Sequence, residues 1–112
     1  MGDLDCIYRA LAARERRLAL SCLQDHQTLT LADLTELVLE RTDEADITTV
    51  SEDRIRDTYF ALYHTHVPIL EESDLVRYDQ TDDLVTVTER VRPALSSVRE
   101  NLDAILTAEI DG

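Results

Sequence analysis

The hydrophobic period changes twice between Ile55 and Ile105, and that double change restricts the fold more than any other feature of the chain. Ile55, Tyr59, Leu62, His66, Ile69 and Ser73 follow spacings of four, three, four, three and four. A stripe of this kind is one face of an α-helix. Next, Leu75-Val76-Arg77-Tyr78-Asp79 alternates in character and Leu84-Val85-Thr86-Val87-Thr88 is rich in β-branched residues, with Gln80-Thr81-Asp82-Asp83 between them. Two such runs around a polar turn predict a β-hairpin over about Leu75 to Thr88. Helical spacing then returns. Val91, Leu95, Val98, Leu102 and Ile105 step by four, three, four and three, a heptad seam that Leu106 and Ile110 extend. Pro93 falls in the first turn of this last helix, where a missing N–H is tolerated.

Upstream, Leu4, Ile7, Tyr8 and Leu11 recur at helical spacing, and Leu18, Cys22 and Leu23 continue the stripe beyond Arg14-Glu15-Arg16-Arg17. This predicts a first helix with a break near Ala13, ending by Asp25 or His26. Gln27-Thr28-Leu29 is expected to be extended. Thr30, with Asp33 in capping-box position, opens a second helix over about Leu31 to Arg41. Thr42 to Val50 reads as a loop. Ser51 caps a third helix over about Glu52 to Ser73, with Glu52 and Asp53 placed favourably in its first turn. Pro68 should kink that helix or start a new turn. The expected fold is therefore mainly α with a β-hairpin wing, an α+β arrangement. Helix, short strand, helix, helix, hairpin and long helix is the order of a winged helix-turn-helix domain. It would occupy residues 1–88, with residues 89–112 forming a C-terminal helix suited to dimerisation. A length of 112 residues suits one domain.

Composition then narrows the environment. All eleven basic residues are arginine, against 24 acidic residues and a net charge of −13. Yet 44% of residues are hydrophobic, so the chain is expected to fold rather than remain disordered. Lysine loss together with acid gain suits a cytoplasmic protein of a salt-accumulating archaeon. At molar salt the Debye length falls to about 3 Å, and a carpet of carboxylates no longer repels itself. In that setting net charge stops arguing against nucleic acid, and the local placement of arginine becomes the better guide. No run of 18 apolar residues predicts a membrane span. The acidic start Met1-Gly2-Asp3-Leu4-Asp5 resembles neither a signal peptide nor, with Cys6 in sixth place, a myristoylation site.

The segment His64-Thr65-His66-Val67-Pro68-Ile69-Leu70-Glu71-Glu72-Ser73-Asp74-Leu75-Val76 resembles the junction between recognition helix and wing in ArsR-type winged-helix regulators. It is closer to a haloarchaeal family of uncharacterised winged-helix regulators. Leu62-Tyr63-His64-Thr65-His66-Val67-Pro68 and Val76-Arg77-Tyr78-Asp79 carry that likeness, which runs from Arg14 through Thr88 and excludes the last helix. The resemblance implies a winged-helix fold and a regulator, although winged helices also serve as protein-interaction modules. One departure stands out. Asp74 occupies a position where these families have glycine and the backbone is left-handed, which Asp tolerates better than most residues.

No catalytic constellation, phosphate loop, cofactor motif or metal-ligand set emerges. The only glycines are Gly2 and Gly112. Cys22 and His26 share a helical face, but no further ligands stand nearby at metal spacing. Cys6 and Cys22 read as small buried residues or as a redox-responsive pair. His66 lies on the apolar stripe and reads as a buried packing histidine. The function then rests on recognition. The outer face of the third helix carries Asp53, Asp57, Phe60, Ala61 and His64, flanked by Arg54 and Arg56. A helix in the major groove presents such a face to double-stranded DNA. The same charges equally suit a solvated surface. Arg77 is the wing's basic residue. The tip, Asp79 to Asp83, has three acids and no base, unlike a wing that enters the minor groove. Phe60 has no core position and is available to the second helix, a partner or a thymine methyl. Arg9, Arg14, Arg16 and Arg17 suit phosphate or the acids of a neighbouring element. The seam Val91, Leu95, Val98, Leu102 and Ile105 would bury against the chain's own first helix or against a second copy as a homodimer. The two function classes left open are a dimeric DNA-binding transcription regulator and a protein-interaction module.

Overall fold

Ala12 and Ala13 separate two apolar stripes, and the chain leaves the helix there, with Ala13 extended at φ −115° and ψ 139°. In the computed structural model, which describes residues 3–111, α1 spans Asp3–Leu11 and α2 spans Arg14–His26. The Met1-Gly2 start lies outside the described residues. Gln27, at φ 67°, turns the chain out of α2, and its carbonyl accepts from Val87 N–H at 2.9 Å. The extended piece that follows is a third strand, β1 (Thr28–Thr30). It pairs antiparallel with β3 (Leu84–Val87), whose other edge takes β2 (Val76–Asp79). The sheet order is β1-β3-β2. Val76 faces Val87 and Asp79 faces Leu84, so the expected hairpin forms.

Both expected N-caps are present. Thr30 Oγ1 accepts from Asp33 N–H at 3.1 Å and opens α3 (Leu31–Asp43). Ser51 Oγ accepts from Arg54 N–H at 3.2 Å and opens α4 (Glu52–Ala61). Each satisfies one of the orphan donors of a first turn. Near the end of α3, Arg41 bonds Asp25 at 2.9 Å and Ser21 at 2.8 Å, tying α3 to α2. Between α3 and α4 the loop holds one 3₁₀ turn, Ile47–Thr49.

The third helix differs from its even spacing. α4 runs without interruption into a π-helical turn, Leu62–His66, and then α5 (Val67–Glu72). Val67 N–H reaches back five residues to the Leu62 carbonyl, and Pro68 follows in the first turn of α5. The wide turn leaves the proline in the first turn of α5, where its missing N–H is tolerated. It also adds a residue and rotates the buried face. Val67 and Leu70 go into the core, at 3% and 0% exposure, while His66 and Ile69 sit at its margin.

The core gathers Leu23, Leu31, Leu34, Val38, Leu62, Leu70, Leu75, Val76 and Val85. It also takes Val91 and Ala94 from α6 (Val91–Asp111), so it closes beyond Thr88. Asp74 adopts φ 62°, the left-handed backbone expected at the entry to the hairpin. The whole is mainly helical with a small three-stranded antiparallel sheet, an α+β fold. Among the described residues no helix is long and apolar enough to cross a membrane.

Candidate nucleic-acid interface

α4 buries none of its residues. Its sequence explains this, because Glu52, Asp53, Arg54, Arg56 and Asp57 leave little apolar surface to hide. Asp53, Asp57, Phe60, Ala61 and His64 are all exposed, as the helical period places them. The two flanking arginines are already engaged. Arg54 grips Asp43 with two hydrogen bonds, Nε to Oδ2 at 3.2 Å and Nη2 to Oδ1 at 2.8 Å. A planar guanidinium suits such a two-pronged contact, and it holds the Asp43 carboxyl below its usual range. Arg56 lies 3.3 Å from Asp53 and 3.8 Å from Asp57. Exposed pairs of this kind contribute little and yield to competitors.

Aromatic rings continue the face toward the hairpin. Phe60, 48% exposed, stacks with His64 at 5.9 Å and meets Tyr59 edge-on. Tyr63 contacts His64 at 4.8 Å and Tyr78 at 6.1 Å. Gln80 donates to the Tyr63 hydroxyl at 3.0 Å, so the hairpin tip is fastened to the π turn. Tyr63, Tyr78 and Gln80 were not singled out by helical or strand period, since the contacts cross elements.

Two of the three acids at the tip are structural. Asp79 Oδ1 accepts from Thr81 N–H and Asp82 N–H at 3.0 and 3.3 Å, folding the turn. Asp83 Oδ1 accepts from the Tyr78 hydroxyl at 2.6 Å, which pushes that phenol above its ordinary pKa. Arg77 is exposed on the edge strand β2.

The arginines of α1 and α2 serve the fold in a way their spacing did not reveal. Arg16 is buried, donating from Nε to the Ala10 carbonyl at 2.8 Å and from Nη2 to the Arg9 carbonyl at 2.9 Å. Arg17 donates to the Leu11 carbonyl at 2.7 Å. These carbonyls lie at the end of α1, where that of Arg9 also accepts from Ala12 N–H at 3.2 Å. Arg9 pairs with Glu72 at 3.1 Å, the acid partnership expected of this cluster. His66 is hydrogen-bonded as the stripe implies, but it sits at the core margin against Arg16 rather than inside, its side chain 12% exposed. Burial and the neighbouring guanidinium hold it neutral, below its usual pKa.

The expected dimerisation seam divides. Val91 is buried in the chain's own core, and Val98 packs against it. The reason is α1, which lies beside the first half of α6, with Asn101 donating to the Tyr8 hydroxyl at 3.0 Å. Leu95, Leu102, Ile105 and Leu106 remain exposed, at 38%, 51%, 60% and 55%. The side chain of Ile110 lies outside the described residues. Cys22 is buried, which pushes its thiol pKa up, and Cys6 is partly buried. His26 is exposed.

A family model described as a domain of unknown function (DUF7344) matches residues 8–86, and the chain belongs to that family. The match covers α2 through most of β3 and leaves α6 outside. No curated protein and no solved structure matches the chain.

Proposed function

We propose that this member of the DUF7344 family is a winged helix-turn-helix regulator that binds double-stranded DNA as a homodimer, with α4 in the major groove. One observation carries the reading. α4 is anchored at Ser51 and Asp43 and holds only Tyr59 against the core, so Asp53, Asp57, Phe60, Ala61 and His64 stand exposed along one face. The element order supports it: α2, β1, α3, α4 with its continuation, then β2 and β3, with β3 central and the hairpin as wing. The exposed half of α6 supplies a two-fold contact through Leu95, Leu102, Ile105 and Leu106. Helix-turn-helix dimers read half-sites about one DNA turn apart, the spacing this pairing would have to provide. The arginine-only basic set and the acid excess support work at molar salt inside a haloarchaeon. The test is selection of duplexes from a random pool at molar KCl. Enrichment of a motif with two half-sites is expected, and no enrichment by a folded protein overturns the reading.

A second reading has its own support. Both arginines of α4 hold carboxylates, and the hairpin tip is acidic. Such a face suits a protein surface, which would make the domain an interaction module. Loss of partner capture, rather than of duplex binding, on Phe60→Ala would favour it.

A further inference from the structure

Resting on that reading of α4, we infer that its outer face recognises the pyrimidine edge of base pairs, thymine foremost, through the ring of Phe60 and the methyl of Ala61. The inference starts from which readers the face lacks. Guanine is read in the major groove chiefly by a two-pronged Arg or Lys, and adenine by Asn or Gln. No Asn, Gln or Lys occurs between Glu52 and His66. Arg54 can reach a guanine only by giving up both of its bonds to Asp43, and Arg56 lies between Asp53 and Asp57. The usual purine readers are therefore missing, or reach a base only after leaving an acid partner.

The pyrimidine readers are present. Thymine is marked in the groove by its C5 methyl, which takes apolar contact from Ala or Phe, and cytosine by an amine that donates to a carboxylate. Phe60 and Ala61 are adjacent and exposed on the side of α4 away from Tyr59, which packs against the core. His64 stacks on Phe60 at 5.9 Å and 27°, so the ring is braced before any ligand arrives. A braced ring loses little side-chain freedom on contact. Asp57, one turn back on the same face, lies 3.8 Å from Arg56 and can accept from a cytosine amine on leaving it.

Deoxyuridine tests this directly, because replacing thymidine with it deletes only the C5 methyl. A duplex selected at molar KCl is resynthesised with one such replacement at a time. Wild-type protein should lose about fourfold in affinity at one or two positions per half-site, the factor for one buried methyl. Phe60→Ala should bind the thymidine and deoxyuridine duplexes alike at those positions, and Phe60→Leu should keep part of the difference. Circular dichroism establishes that both variants are folded. If wild type tolerates every deoxyuridine, or if Phe60→Ala suffers the same losses, the thymine inference is overturned while duplex binding stands. If folded wild type retains no duplex at all, the DNA reading of α4 falls and this inference with it.

Discussion

Arg16 donates from Nη1 to Nδ1 of His66 across 3.1 Å, and that contact joins the start of α2 to the turn that continues α4. A guanidinium has donors only, so Nδ1 must present its lone pair. The ring proton is then on Nε2, which lies 3.7 Å from Glu15 Oε2. A second proton on Nδ1 would set donor against donor beside a buried arginine.

Acidification should therefore destabilise the fold through His66. Burial, and then Arg16, lower its pKa from the ordinary 6.5, while Glu15 opposes them. On acidification the unfolded chain takes up this proton before the folded one. The stabilisation is complete above about pH 6.5 and is lost as pH falls toward the lowered folded value. Urea midpoints at molar KCl should fall over that window in wild type. In His66→Gln that part of the slope should vanish, leaving only the carboxylate titration at lower pH.

Arg16→Ala should cost about 2–3 kcal/mol, because it removes the side-chain donor from the Ala10 carbonyl and from His66 Nδ1 and leaves the Arg9 carbonyl with Ala12 N–H alone. Arg16→Lys should recover less than half, since an ammonium cannot span both carbonyls and the imidazole. Equilibrium denaturation at molar salt measures both. A loss under 0.5 kcal/mol for the alanine variant, within the usual range for a surface change, would show that the cap contributes little.

Asp43→Asn should free Arg54 from its two-pronged partner and raise affinity for a selected duplex several-fold. Arg54→Ala combined with Arg56→Ala should lower it, and His64→Ala should alter sequence preference more than affinity. Fluorescence anisotropy at molar KCl reads all three. Equal binding in every variant would move the function toward the interaction module.

Leu102→Asp should convert a homodimer to monomer while leaving the thermal midpoint of the monomer nearly unchanged, because Leu102 is half exposed within one chain. Leu95→Asp should act in the same direction. Light scattering at high salt is the measurement. A wild-type mass of one chain across micromolar concentrations would remove the two-half-site mode of DNA reading.

Asp74→Gly should stabilise the fold by about 0.5–1 kcal/mol. At φ 62° a side chain pays the steric cost of the left-handed region, and glycine does not. Asp74 also sits 4.0 Å from Arg90, a half-exposed pair whose loss takes away little. Asp74→Val should lower the melting temperature. The reverse order of the two variants would mean that the Asp74 side chain supports the turn more than its backbone strains it.

Local patterns in the sequence determined much of this protein. The break near Ala13, the caps at Thr30 and Ser51, the hairpin from Leu75 to Thr88 and the outward face of α4 all depend on neighbours within about one turn or one strand. Period alone assumed a uniform 3.6 residues per turn, so it placed His66 and Ile69 inside, where the π turn puts Val67 and Leu70 instead. Only tertiary structure decided the partners: β1 on β3, Asp43 on Arg54, Arg16 on two carbonyls and His66, and α1 against the first half of α6. Several of these pairs are far apart in the chain. An arginine's long, flexible side chain can satisfy any carboxylate, carbonyl or phosphate within reach, so its spacing in the sequence does not say which one the fold brings to it.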